Sequence, residues 1–190
     1  MTMGAPWPDG WCAGWKWLAF GWGLAEAVFF FIVPDVLTSR LVLRDARRGF
    51  MACLFGTAGA LIGGAVLFQL GRAGVPLLAA MDHIPGISDG AIEKARLGLE
   101  KSGLLALFTG ALGGLPYKLF AAQAVAVTGS GVGAFLLVTA FARLARFGVV
   151  TGIAWAAGAM MPRVSLPAKL RIHAAAWSVF YAFYFWRMGF

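Results

Sequence analysis

The chain has 190 residues, of which 61% are hydrophobic and only 13% are charged. An average globular domain carries about 25% charged residues. A soluble fold of this length cannot bury such an apolar surplus, because the buried fraction of the surface rises only slowly with size. The same numbers exclude a disordered chain. The continuous apolar runs predict an all-α integral membrane protein, with a single membrane domain over residues 1–190.

The charge balance is strongly basic, with a formal net charge of +8. In a soluble protein this would indicate nucleic acid as a partner. Here the charges flank apolar runs, which is the pattern that orients a protein in a bilayer. We therefore expect a membrane environment and no nucleic acid partner, while a homo-oligomer is left open.

The N-terminal region is rich in tryptophan. Trp11, Trp15 and Trp22 have the spacing of one helical face. Indole rings prefer the headgroup level of a bilayer, so these residues are predicted to be interfacial anchors. Residues 1–11 contain no lysine or arginine, and we expect no cleavable signal peptide.

The first apolar stretch, residues 18–33, contains Glu26 and is followed by Pro34 and Asp35, and residues 16–33 are predicted to form a descending limb. Proline disfavours helix both at its own position and at the preceding residue. Two acids and a break do not fit a lipid-facing span. We predict a re-entrant hairpin that returns over residues 36–43, shielded by protein or lining a wet cavity.

A long uncharged run follows the first hairpin. It is preceded by a basic cluster, Arg40, Arg44, Arg47 and Arg48. Residues 49–70 are long enough to span a bilayer, which takes about 20 residues. Their small residues allow close helix approach: Gly56, Gly59 and Gly63.

Residues 72–102 are polar and are predicted to form a connecting loop with a short helix over 90–101, capped by Ser88 or Asp89. Asp82, His83 and Asp89 fit no known metal site and are assigned to a solvated loop. Cys12 and Cys53 have no neighbouring histidine or second cysteine, which indicates no zinc site or disulfide framework. Cys53 is predicted to be a packing residue. No cofactor is expected.

The second half of the chain has the same order of segments. Residues 103–115 are too short to span and end at Pro116-Tyr117-Lys118, after which residues 119–128 return. Residues 131–161 are long enough to span. A last helix over 168–187 either spans or lies at the interface.

Residues 16–71 and 103–161 therefore share the plan of hairpin and span. Interrupted segments in corresponding positions of two halves indicate an inverted repeat with a binding site between the halves. The fold class predicted is thus two opposed re-entrant hairpins plus about three spanning helices.

The distribution of basic residues predicts the orientation. Eight lie on one side: Lys16, Arg40, Arg44, Arg47, Arg48, Arg163, Lys169 and Arg171. Five lie on the other: Arg72, Lys94, Arg96, Lys101 and Arg187. The excess places the N-terminus and the 40–48 loop in the cytoplasm, and a bacterial inner membrane is the expected location.

Five charged residues fall at membrane depth, where each charge costs at least ~2.5–3.5 kcal/mol and usually marks a pathway. They are Glu26, Asp35, Lys118, Arg143 and Arg146. Arg143 and Arg146 share a helical face and are candidates, with Lys118, to bind a substrate phosphate. Glu26 and Asp35 are candidates for proton coupling, because burial and a nearby arginine shift the pKa of a carboxyl group in opposite directions.

Each of these residues also has a structural interpretation. The two arginines can neutralise the two acids across the bundle, a role compatible with phosphate binding. Glu26 can form a helix–helix hydrogen bond, and Asp35 can cap the returning limb. Lys118 can extend to an interface. No nucleophile set, phosphate-binding glycine loop or HExxH motif occurs, so an enzyme is not favoured.

Four motifs resemble those of the DedA superfamily, also called the SNARE-associated or VTT family. Residues 23–35 (GLAEAVFFFIVPD) resemble its opening acidic motif. Residues 59–64 and 68–74 resemble its G-A-x-x-G-D and Y-x-x-G-R-x-x-G segment, with Gly64 in place of the aspartate and Phe68 in place of the tyrosine. Residues 116–118 and 143–147 resemble the P-Y-K and R-x-x-R-F motifs of the YqaA-like branch.

The resemblance implies two opposed re-entrant hairpins and a role in lipid handling. The superfamily includes proton-motive-force-dependent transporters of undecaprenyl phosphate and eukaryotic phospholipid scramblases. By motif, Glu26, Asp35, Arg143 and Arg146 correspond to functional acids and arginines of that superfamily.

The function predicted is a transporter that moves an anionic lipid, a polyprenyl phosphate or a phospholipid, between leaflets with proton coupling. One alternative is a proton- or cation-coupled transporter of ions or small solutes. A second alternative is a non-transporting membrane assembly factor.

Overall fold

The structure, a computed structural model, describes residues 11–29, 32–81 and 87–188. Within these ranges the chain is helical and contains no strand, which confirms the predicted all-helical class. The helices are α1 Trp11–Val28, α2 Asp35–Val42, α3 Ala46–Arg72, α4 Leu77–Met81, α5 Asp89–Ser102, α6 Ala106–Gly113, α7 Tyr117–Thr128, α8 Val132–Ala159 and α9 Leu166–Met188. A short 3₁₀ turn, Gly103–Leu105, precedes α6.

Two of these helices, α3 with 27 residues and α8 with 28, are long and apolar enough to cross a membrane. At 1.5 Å per residue each is about 40 Å long, more than the roughly 30 Å of bilayer hydrocarbon. The sequence predicted about three spans, and length and composition support two within the described residues. The last helix, α9, is not one of the two.

The outward faces of α8 and α9 expose large apolar side chains. Phe141 and Ile153 on α8 are 60% and 64% exposed, and Val179 on α9 is 70% exposed. Soluble monomers rarely expose extended apolar patches. These faces are chemically suited to lipid contact, in agreement with the composition.

α1 runs parallel to α3, in contact through glycines. A Cβ on Gly59 would overlap the Phe20 carbonyl oxygen, and a Cβ on Gly23 would overlap the Gly56 carbonyl oxygen. The contact predicted from the small residues of α3 is thereby confirmed. The end of α1 lies beside Gly63, nine residues before the end of α3, so α1 stops about 13 Å short of that end.

α2 runs back between α3 and α8. Val42 packs against Gly49 near the start of α3, whereas Thr38 hydrogen-bonds to Thr151 of α8. The Leu43 side chain, at the end of α2, lies against Gly158, at the end of α8. The α2–α3 loop and the end of α8 therefore share one end of the bundle.

Two predicted details of the first half are wrong. The helix of the first limb ends at Val28 rather than Val33, and the Ile32 carbonyl and the Val33 N–H beyond it are bonded by side chains of α1 and α9, as described below. Asp35 opens α2 but does not cap it: Pro34 holds the N-cap position without a side-chain cap bond. The Asp35 carboxylate is instead paired with an arginine.

In the second half, α7 starts at mid-height of α3 and runs parallel to it. Tyr117 contacts Gly64, and Ala122 lies against Gly71 further along. α6 and α7 are separated by Gly114, whose φ of +79° favours glycine. α3 and α8 are antiparallel, since Cys53 contacts Thr151 and Phe68 stacks on Phe135 at the other end.

The predicted short helix of the connecting region is present as α5. Ser88 is its N-cap, with its hydroxyl accepting a hydrogen bond from the Ala91 N–H. The sequence did not predict the single turn of α4. α5 packs on α6 and α7, and the Gln123 amide of α7 donates to the Ile92 carbonyl of α5.

Candidate functional site

The five charged residues predicted to lie at membrane depth meet at the middle of the bundle. Arg143 and Arg146 lie near the centre of α8, eleven residues after its start and thirteen before its end respectively. Glu26 comes from the last turns of α1, and Asp35 from the first turn of α2. Asp35 and Lys118 directly follow the breaks before α2 and α7, whereas the other three side chains project from within helices.

Arg143 and Glu26 form a buried ion pair. Nη2 of Arg143 lies 2.8 Å from Oε2 of Glu26, and both side chains are almost fully buried. The approach is not aligned with an N–H bond, and the Arg143 nitrogens have no hydrogen-bond partner among the described residues. The guanidinium carbon is 4.1 Å from the centre of the Tyr117 ring, a cation–π contact. The Glu26 carboxylate and the Tyr117 ring together hold the Arg143 guanidinium in place, while its N–H groups donate no hydrogen bond to the described residues.

Arg146 and Asp35 form the second pair. Nε of Arg146 donates to Oδ2 of Asp35 at 3.1 Å. Asp35 is fully buried, whereas the Arg146 side chain keeps 17% of its surface exposed. The second carboxylate oxygen, Oδ1, has no hydrogen-bond partner within the described part of the chain. The neutralising interpretation of the two arginines therefore agrees with the geometry, and unused polar atoms remain on both pairs.

Lys118 lies beside these pairs and is buried, with 2% of its surface exposed. It is within electrostatic range of both Glu26 and Arg143. The interpretation that Lys118 extends to an interface is therefore wrong. Its position in the first turn of α7, at mid-height of α3, directs it into the bundle.

Tyr117 contributes to the site although its role was not predicted. Its hydroxyl lies 3.3 Å from Thr139 Oγ1 and fills the space where a Cβ at Gly64 would be. Its ring lies under Arg143. The only signal in the sequence was its place between Pro116 and Lys118, where an aromatic residue in a break can equally be packing.

A small cavity adjoins the two arginines. Its walls are Leu107, Leu115, Tyr117, Phe120, Thr139, Ala142, Arg143 and Arg146. Its volume is about 10 Å³, which corresponds to about one water molecule. A phosphate group therefore requires the surrounding helices to move apart.

Side chains satisfy the backbone at the first break. The Trp22 indole N–H donates to the Ile32 carbonyl at 2.8 Å, and the Val33 N–H donates to the Tyr181 hydroxyl at 2.8 Å. Backbone N–H and C=O groups that are shielded from water need such partners. Trp22 is therefore part of the break rather than only an interfacial anchor. Trp15 packs edge-on against Phe55, and the Trp11 side chain lies outside the described residues.

A buried chain of two hydroxyl groups and a thiol joins α2, α8 and α3 on one side of the site. Thr151 donates to Thr38 at 2.9 Å, and Cys53 Sγ lies 3.3 Å from Thr151 Oγ1. Cys53 is buried, as expected for a packing residue. Threonines within apolar helices carry no clear sequence signal, so this chain of polar groups was not predicted.

No group of three or more metal-ligating side chains occurs within the described ranges. Asp89 begins α5, whereas Asp82 and His83 lie outside the described residues. The comparisons with protein-family models, with curated proteins and with solved structures find no match for this chain.

Proposed function

We propose that this chain is a membrane transporter that moves an anionic lipid between leaflets, and that it is a divergent member of the DedA superfamily. The observation that carries the proposal is the pair of buried acid–arginine contacts, Glu26–Arg143 and Asp35–Arg146, at the middle of α8. Four charges at this depth are expensive, and such residues are retained mainly where they serve a pathway.

The fold proposed for this function has two re-entrant hairpins, α1–α2 and α6–α7, around the spans α3 and α8. Support comes from the short reach of α1, from the breaks at mid-height and from the side chains that bond the backbone of the first break. A simple span would have none of these features.

The packing directions support an inverted repeat. α2 runs antiparallel to its own span, α3, and parallel to α8. α7 runs parallel to α3, and Tyr117 at its start reaches Thr139 of its own span, α8. α2 thus packs on both spans, whereas α7 packs on α3 and reaches α8 through Tyr117. A central site between two inverted halves is consistent with this arrangement.

The proposed mechanism begins when a lipid phosphate replaces the carboxylates as the partner of the arginines. The N–H donors of Arg143 are unused, and guanidinium groups bind phosphate through paired hydrogen bonds. Lys118 adds a third positive charge. Protonation of Glu26 and Asp35 would release Arg143 and Arg146 to the phosphate, and deprotonation would return the arginines to the acids and free the lipid. The tail would stay in the bilayer throughout.

This mechanism requires the helices around the small cavity to separate, because the cavity holds about one water. Arg146 is the more exposed of the two arginines, so we expect the headgroup to meet it first. We propose an inner-membrane location with the α2–α3 loop in the cytoplasm, following the distribution of basic residues.

The test is a leaflet-resolved lipid movement assay in proteoliposomes, with a polyprenyl phosphate and with a fluorescent anionic phospholipid. The wild type should move one of these lipids faster than empty liposomes. Arg143→Ala and Glu26→Gln should each reduce the rate at least tenfold, while Arg163→Gln, a change in an exposed loop, should leave it unchanged.

Loss of one partner of a buried ion pair also destabilises a protein, by about 3–5 kcal/mol. The double variant Glu26→Gln/Arg143→Gln removes both charges and serves as the folding control. It should be closer in melting temperature to the wild type than Arg143→Ala and still fail to move lipid. Equal rates for wild type and empty liposomes, with no lipid bound to the purified protein, would refute lipid transport.

The water-sized cavity favours a second candidate, a proton- or cation-coupled transporter of ions or small solutes. In that case, a proton or cation flux would appear in liposomes in which no lipid moves. Glu26→Gln would abolish the flux without changing lipid binding. A protein that shows neither activity, and whose variants keep the cellular phenotype, would be an assembly factor.

A further inference from the structure

A groove lies between α2 and α9, away from the buried ion pairs. Its volume is about 360 Å³, far larger than the cavity beside Arg143. Its walls are Ile32, Val36, Arg40, His173, Ala174, Trp177, Ser178, Tyr181 and Phe185. Its residues are cationic and polar towards one end and aromatic along the rest.

Arg40 and His173 mark the polar end of the groove. Arg40 is exposed and forms no ion pair in the described part of the chain. His173 accepts the Trp177 indole N–H on Nε2, at 3.1 Å. Indole nitrogen is a donor only, so the neutral ring carries its hydrogen on Nδ1. Nδ1 is buried and has no hydrogen-bond partner among the described residues. Because Nδ1 is not accessible from the groove, the exposed Arg40 guanidinium is the group suited to an anion.

The length of the groove corresponds to one leaflet. From His173 to Phe185 α9 rises about 18 Å over twelve residues, and half of the roughly 30 Å hydrocarbon core is about 15 Å. The Trp177, Tyr181 and Phe185 side chains follow one another at helical spacing along this length. An anionic head at Arg40 would therefore place a lipid tail along the aromatic wall.

α9 is held to the rest of the bundle by few contacts. Ser39 of α2 contacts His173, and Trp177 also donates to Ser39. The Val33 N–H reaches Tyr181, and Lys169 donates to the Gly158 carbonyl. These bonds leave the groove open between them, which is a gap that a lipid can fill at the edge of a membrane protein.

We propose that this groove binds one anionic phospholipid, with its phosphate on Arg40 and an acyl chain along Trp177, Tyr181 and Phe185. The lipid is a resident ligand that holds α9 against α2, in the leaflet on the side of the α2–α3 loop. The proposal requires membrane residence but not transport.

The experiment places a photoreactive p-benzoylphenylalanine at Ser178 or at Val179 in bilayers of phosphatidylcholine with one tenth phosphatidylglycerol. Ser178 lines the groove, whereas Val179 is the next residue and points away from it. After irradiation, intact-protein mass spectrometry identifies the lipid attached. Both positions lie at nearly the same depth, so ordinary boundary lipid labels both alike.

We expect the Ser178 adduct to be enriched in phosphatidylglycerol at least threefold over the bilayer, and the Val179 adduct to follow the bilayer composition. Arg40→Gln should remove the enrichment, while Arg47→Gln, in the same basic cluster but outside the groove, should keep it. The enrichment should persist in the variant Glu26→Gln/Arg143→Gln, because this variant changes the proposed transport site and leaves the groove residues unchanged.

Equal lipid composition at both positions would overturn the proposal, as would a cross-link from Ser178 to a second copy of the chain. Failure of lipid movement with the enrichment intact would refute the transport function alone. Loss of the enrichment with transport intact would refute this site alone.

Discussion

Tyr117 contacts both of the long helices, α3 and α8. Its hydroxyl lies against Gly64 of α3 and near Thr139 of α8, and its ring supports Arg143. The resemblance to the DedA superfamily would place an aspartate where Gly64 stands. In this chain the Tyr117 hydroxyl occupies that space, so a side chain at 64 and this tyrosine exclude each other.

The exclusion can be tested by a double-mutant cycle. Gly64→Ala should lower the stability of the detergent-solubilised protein by about 1–3 kcal/mol, the usual effect of overpacking a core. The Tyr117 ring is buried and held by Arg143, so its hydroxyl has little room to move. Once Tyr117→Phe has removed the hydroxyl, Gly64→Ala should have little effect. Thermal unfolding of the four proteins gives the coupling, and simple additivity would contradict the proposed exclusion.

At the scale of helices, the contact between α1 and α3 sets the depth of Glu26. The glycines at 23 and 59 let the two backbones touch, and the parallel direction brings Glu26 to the level of the central residues of α3. A wider separation of α1 from α3 would move Glu26 away from Arg143. The small-residue pattern is therefore a condition for the first ion pair as well as a packing device.

The dependence of this contact on glycine gives a matched comparison. Gly59→Ala should destabilise the protein by about 1–3 kcal/mol, because its Cβ meets the Phe20 carbonyl oxygen. Gly152→Ala in α8 meets no atom within 4 Å and should be neutral or stabilising by up to about 1 kcal/mol, since alanine favours helix. Detergent melting temperatures measure both. Similar losses for the two variants would argue against backbone contact between α1 and α3.

For the whole molecule, the two ends of the bundle differ in charge. The α2–α3 loop, the end of α8 and the start of α9 share one end, as the contacts of Leu43 and Lys169 with Gly158 indicate. α5 follows the opposite end of α3 and packs on α7. The residues that the positive-inside argument counts together thus fall at a common end of the folded chain.

This arrangement predicts which residues are reached from each side of the membrane. In a Cys12→Ser/Cys53→Ala background, Lys94→Cys should react with a membrane-impermeant thiol reagent on intact cells, whereas Arg163→Cys should react only after lysis. Both positions are exposed. Labelling of Arg163→Cys in intact cells, or of both residues from one side, would contradict the proposed orientation.

The sequence predicted the helical class, α3 and α8 among about three expected spans, α5 with a cap at Ser88 or Asp89, and the close contact of small residues. These features depend on apolar runs, proline, capping residues and glycine spacing, which act over a few neighbouring residues. It misplaced the end of α1 and the roles of Trp22 and Lys118, because those depend on partners distant in the chain. The re-entrant hairpins and the inverted repeat stay predictions, supported by the direction and depth of the helices.

By itself, the sequence determined that the chain is helical, strongly apolar and marked by five charges at sites where charge is costly. The tertiary structure alone decided that Glu26 meets Arg143 and that Asp35 meets Arg146. More than a hundred residues separate the members of each pair, so no local pattern could match them. Only the packing of α1 and α2 against α3 and α8 brings them within ion-pair distance. The same packing leaves a cavity beside the arginines with the volume of about one water molecule. The size of this cavity depends on how the helices pack, so the composition does not predict it.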